Sequence, residues 1–244
     1  MNDTTYIYGK HTVEEAIKMH PHRIECVYVG PHEKEIIGLA RKKNVRIESL
    51  DMRALSNFED VNHQHVVALV EVPAPLTLEA FLHDREITAH TALVLLAEIQ
   101  DPHNVGAIIR SAAAFGVSGI LIPERRQSPI TGTVAKVSAG MVFAVPTIAI
   151  GNINQTLGAL KKHGFWIYGL AGEGRNPLPA ERFDAPAVFV IGNEGEGLRE
   201  KTQEHCDIVL SIPMHPQCES LNASASAAAV LYAWSAQHPQ ALAK

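Results

Sequence analysis

The sequence predicts an α/β protein in two parts. A small α/β domain spans residues 1–72, a linker spans 73–90, and a larger domain with a mainly parallel sheet spans 91–244. Three observations carry this reading. Short apolar runs alternate with segments of helical period, the pattern of parallel strands covered by helices on both faces. Pro73-Ala-Pro75 punctuates the chain where the first series ends, because two prolines at that spacing favour extended backbone. A chain of 244 residues that is 46% hydrophobic is also long enough to bury a substantial core.

In the first part the apolar period gives a strand from Ile24 to Val29, a helix from Glu33 to Lys43 and a strand from Val45 to Ser49. A polar interval follows, then a strand from Val66 to Val72. Leu76 to Leu82 is expected to form a short helix, and Arg85 to His90 to be linker. Strands are then predicted near Ala92 to Ile99, Gly119 to Ile122, Val145 to Ile150, Phe165 to Leu170, Ala187 to Ile191 and Ile208 to Ile212, with helices between most of them. A sheet of this type binds ligands at the carboxyl ends of its strands.

Composition removes several classes of function. The longest apolar runs, near Ala92 and Ala185, fall far short of the ~20 residues needed to cross a bilayer, so no membrane span is expected. The N-terminus has neither a basic start nor an apolar run of signal length, which places the protein in the cytoplasm with Cys26, Cys206 and Cys218 reduced. No CxxC pair is present, and His103 and His215 lack metal-ligand spacing, so no metal site is expected. A net charge of −5 argues against a protein held to nucleic acid mainly by a positive overall field. Local basic faces stay open: Arg41, Lys42, Lys43 and Arg46 cluster in one segment, and Arg125 with Arg126 follows a predicted strand end.

Three distant segments fall at or just after predicted strand ends. In Asn104-Val-Gly106-Ala-Ile-Ile-Arg110, a helix is expected to begin near Asn104 or Val105, with Asn104 as a good cap and Arg110 most of two turns further on. Alone this pattern reads equally as a cap, a packing glycine and a surface arginine. Gly192-Asn-Glu-Gly-Glu-Gly-Leu198 carries three glycines able to adopt positive φ and to bring backbone amides against a ligand. Its spacing is not that of a dinucleotide fingerprint, and Glu194 and Glu196 would repel a pyrophosphate. Ser220-Leu-Asn-Ala-Ser224 places Ser220 or Asn222 as the cap of a long helix whose small residues permit close packing. Each segment has an ordinary structural reading by itself, as a flexible acidic turn or an alanine-rich helix in a core or interface.

Together, and in this order, the three resemble the motifs of the SpoU, or TrmH-type, RNA 2′-O-methyltransferases. Gln100-Asp-Pro-His-Asn-Val-Gly106, Lys136-Val-Ser-Ala-Gly140 and Ser211-Ile-Pro-Met214 extend the resemblance over residues 91–237. Tyr8-Gly-Lys-His-Thr-Val13 and His63-Gln-His-Val-Val67 resemble the small RNA-binding domain of some members, so the architecture is most similar to the RlmB-like guanosine 2′-O-methyltransferases of large-subunit ribosomal RNA. The resemblance implies a C-terminal trefoil knot of SPOUT type, S-adenosyl-L-methionine as cofactor, and a homodimer whose active site draws on both subunits. By match the cofactor site includes Gly192, Gly197, Ile212, Leu221 and Asn222. The catalytic set is Arg110, Asn104, Glu194, Asn222 and Ser220, with Arg110 facing the other subunit's cofactor. A guanidinium rarely gives up its proton, so Arg110 is expected to orient the ribose and stabilise developing charge, with Glu194 or a substrate phosphate as proton acceptor.

Departures from the family pattern bear on the target rather than the reaction. Phe143 stands where many members carry glutamate, Gln217, Cys218 and Glu219 replace small residues before the third motif, and His65 replaces a common glycine. Cys218 is expected to be a buried or bystander thiol. Three alternatives stay open: a tRNA ribose methyltransferase, a non-catalytic RNA-binding protein that kept the fold, and a nucleotide-dependent oxidoreductase or hydrolase. The last lacks its dinucleotide fingerprint, phosphate loop, nucleophile elbow and metalloprotease helix.

Overall fold

The computed structural model describes residues 4–50, 63–193, 195 and 197–243. In chain order its elements are β1 (Thr4–Tyr8), α1 (Lys10–Met19), β2 (Ile24–Val29), α2 (Lys34–Lys42), β3 (Ile47–Ser49), β4 (Val66–Glu71), α3 (Leu78–His83), β5 (Ala92–Leu96), α4 (Pro102–Ala114), β6 (Gly119–Pro123), α5 (Gly132–Val137), β7 (Thr147–Ile150), α6 (Ile153–Lys162), β8 (Trp166–Leu170), β9 (Asn176–Pro177), β10 (Ala187–Ile191), α7 (Glu200–Gln203), β11 (Ile208–Ser211) and α8 (Ala223–Gln237). Two compact units emerge. One comprises residues 1–74 with 130–144, and the other 75–129 with 145–244.

The first unit holds a four-stranded sheet in the order β1-β4-β2-β3, with β4 antiparallel to both neighbours and β2 parallel to β3. Strand β1 and helix α1 precede the elements expected from sequence. Their signal lay in Val13, Ala16 and Ile17, spaced to bury one helical face. Strand β3 starts later than expected because α2 closes first: Asn44 adopts φ +56° and the Val45 N–H donates to the Ala40 carbonyl at 2.9 Å. Helix α5 belongs to this unit although it lies far along the chain. It approaches β1 so closely that a Cβ on Gly132 would stand 2.2 Å from the Tyr6 carbonyl oxygen. Beside it, the Tyr8 and Thr133 hydroxyls lie 3.2 Å apart, and the Lys136 ammonium sits 4.9 Å from the centre of the Tyr8 ring.

The second unit is an α/β domain on a seven-stranded sheet in the order β7-β6-β5-β10-β8-β11-β9, with every pair parallel, the class the sequence predicts. The central strand β10 reads Ala-Val-Phe-Val-Ile and is buried throughout, as a strand covered on both faces must be. On one face Leu93, Leu95, Val188 and Val190 pack with Phe81, Leu157 and Leu160. On the other, Phe189 meets Tyr168 (5.6 Å, stacked), Phe183 (5.5 Å) and Trp234 (6.5 Å), which anchors α8. The sequence reading placed a helix start at Asn104 or Val105. The structure corrects this: Pro102 occupies the first helical position and the Asp101 carboxylate caps it by accepting from the His103 N–H at 2.8 Å.

Strand β11 is inserted between β8 and β9, two strands separated by only residues 171–175. Leu210 registers with Leu170 on one side and Asn176 on the other, so that short connection bridges the carboxyl end of β11. The approach is tight. A Cβ on Gly174 would lie 2.6 Å from the Leu210 carbonyl carbon and 2.8 Å from the Ser211 nitrogen.

Two expectations follow. Phe189→Ala should cost about 3–5 kcal/mol in chemical denaturation, since the side chain is fully buried in the aromatic cluster. His90 Nδ1 and His238 Nδ1 lie 2.9 Å apart and can share only one proton. Burial holds His238 below the ordinary histidine pKa, and neighbouring His90 adds to this while Asp184 opposes it. The unfolded chain therefore binds more protons once the pH falls below the ordinary histidine value. Stability should be complete above that value and decline as the pH drops from it toward the folded-state value. His238→Gln should flatten the decline in pH-dependent melting curves; an unchanged slope would refute the assignment.

Candidate active site

A cavity of about 1090 Å³ opens at the carboxyl ends of β8, β10 and β11. Its wall comes from four stretches: residues 170–176, the glycine loop after β10, residues 207–216, and residues 218–223 with Ser226. The placement follows from the parallel sheet, which gathers all its strand-to-helix turns at one end.

The glycine loop is built to a narrow tolerance. A Cβ on Gly192 would fall 2.4 Å from the Gly197 carbonyl carbon, so only glycine fits. Gly197 takes φ +64°. Asn193 and Gly197 exchange two backbone hydrogen bonds of 3.1 and 2.9 Å, closing the turn. The Asn193 side chain then fixes it twice, accepting from the Gly195 N–H at 2.9 Å and donating to the Glu98 carbonyl at 3.0 Å. Leu198, leaving the loop, is buried in the core beneath.

Glu98 is a second organiser that sequence reasoning did not single out. It sits two residues past β5 with φ +63°, a conformation that costs a non-glycine residue about 1–3 kcal/mol and persists only where its surroundings enforce it. Its carboxylate accepts from the Arg199 guanidinium at 2.6 Å and lies 3.9 Å from Arg126. The sequence signal for Asn193 was its place inside the glycine motif. For Glu98 there was none, because its role depends on contacts about a hundred positions away.

Of the residues expected to hold a cofactor, Gly192, Gly197, Ile212 and Leu221 all line the cavity, as does Ser220. Leu221 is a large apolar side chain left 39% exposed there. Asn222 caps α8: its Oδ1 accepts from the Ser224 N–H at 2.8 Å and from the Ser224 hydroxyl at 2.6 Å. Ser220 lies outside that cap. Asn104 is buried in the first turn of α4, with its amide 3.5 Å from the Asp101 carboxylate. Arg110 is exposed on the same helix and is not among the cavity-lining residues of its own chain. Glu194 lies outside the described residues, as does Glu196.

The cysteines also resolve. Cys218 is exposed at the cavity wall, its thiol 3.4 Å from the Ser220 carbonyl; the expectation that it might be buried is corrected, since the loop of residues 213–222 stands in solvent. Burial pushes the Cys206 thiol up to about 11. No group of three or more potential metal ligands occurs among the described residues, and none of the described helices is long and apolar enough to cross a membrane.

Comparison with known proteins matches this geometry to one group. The model of the SpoU rRNA methylase family matches residues 91–232, and a model described as RNA 2′-O ribose methyltransferase substrate binding matches residues 6–76. A 23S rRNA (guanosine-2′-O-)-methyltransferase of Nitrosomonas europaea is 34% identical over 98% of this chain and 94% of its own. The enzyme of the same description from Xanthomonas axonopodis is 38% identical over 86% and 85%. Among solved structures, the SpoU methyltransferase AviRb of Streptomyces viridochromogenes in complex with AdoMet superposes with a TM-score of 0.80 and 25% identity, covering 97% of this chain and 91% of that one.

Gly192→Ala should cost about 1–3 kcal/mol by urea denaturation, because the added methyl has no room against the Gly197 backbone. Stability within the measurement error of wild type would show that the loop is looser than this geometry requires.

Proposed function

The chain belongs to the SpoU rRNA methylase family, and on that premise we propose that it transfers a methyl group from S-adenosyl-L-methionine to a ribose 2′-hydroxyl of RNA, a guanosine of large-subunit ribosomal RNA. The observation that carries this reading is the cavity, where Gly192, Gly197, Ile212, Ser220 and Leu221, drawn from two separate motifs, meet. Its wall fits a cationic ligand: Glu173, Asp207 and Glu219 line it, with Arg175 available for a ligand carboxylate. Gly192, Gly197, Ile212 and Leu221 are assigned to holding the cofactor, with Asn222 beside them. When bound, the cofactor supplies an electrophilic methyl on a sulfonium.

The rest is the work of this chain's residues. A ribose hydroxyl is a weak nucleophile, so it must be aligned and relieved of its proton. Arg110 is assigned to orienting the ribose and its phosphate and to stabilising the developing alkoxide, a task suited to a fixed positive charge. Glu194 accepts the proton, with a substrate phosphate as the alternative acceptor. Asn104, Asn222 and Ser220 position these groups.

Arg110 does not line the cavity of its own chain, which supports a homodimer in which it serves the cavity of the partner. Helix α8 supports the same reading. It carries no charged residue, and Tyr232 stands 64% exposed against the ring of Phe115 at 5.9 Å, with Leu242 half exposed. The position of β11 beneath the 171–175 connection supports a C-terminal knot. Residues 1–72 are assigned to substrate RNA binding, 73–90 to a linker and 91–244 to catalysis, in a cytoplasmic enzyme.

Arg110→Ala should lower turnover by about 10²- to 10³-fold while calorimetric affinity for S-adenosylmethionine stays measurable; near-normal turnover would overturn the assignment. Mixing Arg110→Ala with the cavity-blocking Leu221→Arg variant should restore part of the activity that each lacks alone, and no restoration would argue against a shared site. Mapping ribose methylation in a deletion strain and its complemented control should reveal one lost mark in large-subunit RNA. A lost tRNA mark instead would transfer the reading to tRNA.

A further inference from the structure

A second cavity of about 330 Å³ lies at the same end of the sheet, lined at the carboxyl ends of β6 and β7 and by the residues following the glycine loop. Four cations line it, Arg125, Arg126, Arg199 and Lys201, against one carboxylate, Glu98. Glu98 is already shared by Arg199 and Arg126. Arg125 and Lys201 make no ion pair among the described residues, and both are exposed. The start of α6, Gly151-Asn-Ile-Asn154, completes the wall. The Asn152 side chain accepts from the Gln155 N–H at 3.0 Å, which leaves the N–H groups of Ile153 and Asn154 without helical acceptors at the positive end of a ten-residue helix. In a chain of net charge −5, this is a local concentration of positive charge around a concave, polar-walled space.

The position matters as much as the charge. Leu198 lines the larger cavity and its neighbour Arg199 lines this one, so the two spaces share the glycine loop as their dividing wall. Neighbouring Cα atoms are about 3.8 Å apart, so a strand of RNA with a ribose at the larger cavity would carry its next phosphates within reach of the smaller. The Glu98–Arg199 pair ties the wall to β5 and holds Arg199 facing the small cavity rather than the large one.

We propose that this basic cavity seats a backbone phosphate of the RNA beside the methylated ribose, with Arg125 and Lys201 as its free cations. The proposal rests on the reading of the protein as an RNA methyltransferase. A phosphate contact of this kind positions the strand without reading its sequence, and its signature is salt dependence.

The test uses the full-length protein and the charge-reversal pair Arg125→Glu with Lys201→Glu, which leaves the Glu98 contacts in place. RNA affinity should fall about tenfold or more, and the slope of log affinity against log salt should shrink by about 2, one for each lost contact. Calorimetric affinity for S-adenosylmethionine and the melting temperature, read alongside, should match wild type and exclude misfolding. If the variant does not fold, the single Arg125→Gln and Lys201→Gln variants carry the same test, each with a slope change of about 1. Wild-type protein that methylates RNA while the folded variants keep its affinity and slope would overturn the cavity assignment and leave the proposed function standing. Wild-type protein that neither binds nor methylates RNA would overturn both. Inorganic phosphate that binds the wild type and not the variants, with RNA affinity indifferent to the change, would identify a free-anion site and overturn the RNA assignment.

Discussion

The insertion of β11 between β8 and β9 is the constraint on which the rest of the larger unit depends. Without it the sheet would end at β8, and the chain leaving β11 would not emerge beside the glycine loop. With it, residues 171–175, 192–198 and 212–221 are brought to one cavity although they come from three separate strand ends. The contact is made backbone to backbone at Gly174, where no side chain would fit. Packing of α8 through Trp234 against Phe189 holds the chain in place after it has passed.

A second constraint divides that end of the sheet. Glu98 accepts a positive φ in order to present its carbonyl to Asn193 and its carboxylate to Arg199 at once. One strained residue therefore fixes the shape of the glycine loop and the direction of the cation that follows it. The stability given up at residue 98 is offset by two contacts that a relaxed backbone could not make together. The result is a rigid wall with an acidic space on one side and a basic one on the other.

Much of this was legible in the sequence because it was written in local patterns. The apolar runs of β5, β10 and β11 stand out as buried strands, and the glycine triplet announces a loop that must fold closely on itself. What escaped was long-range or too brief to leave a pattern. The two-residue strand β9 has no period to detect. The capping Asp101 was overlooked because Asn104, three residues on, belongs to the more conspicuous motif, yet Pro102 next to Asp101 fixes the helix start. Residues 130–144 read as continuous with the larger domain, while Gly132 and Lys136 pack with Tyr6 and Tyr8 near the N-terminus. The site was legible as a set of motifs, and the structure added which cavity each lines. Arg110, exposed on α4, is the motif residue whose purpose a single chain does not reveal.

The placement of β11 also sets the order in which the protein can become competent during synthesis. Residues 208–211 cannot take their place until β8 and β9 have left the ribosome and paired loosely enough to admit them, and α8 must follow before the new strand is secured. The cavity therefore has no partial form that a nascent chain could offer to a ligand. Every earlier length of polypeptide carries the glycine loop without its opposite wall. Quality control of the finished enzyme is in this sense built into its topology, since ligand binding reports that the last forty residues have been threaded and locked.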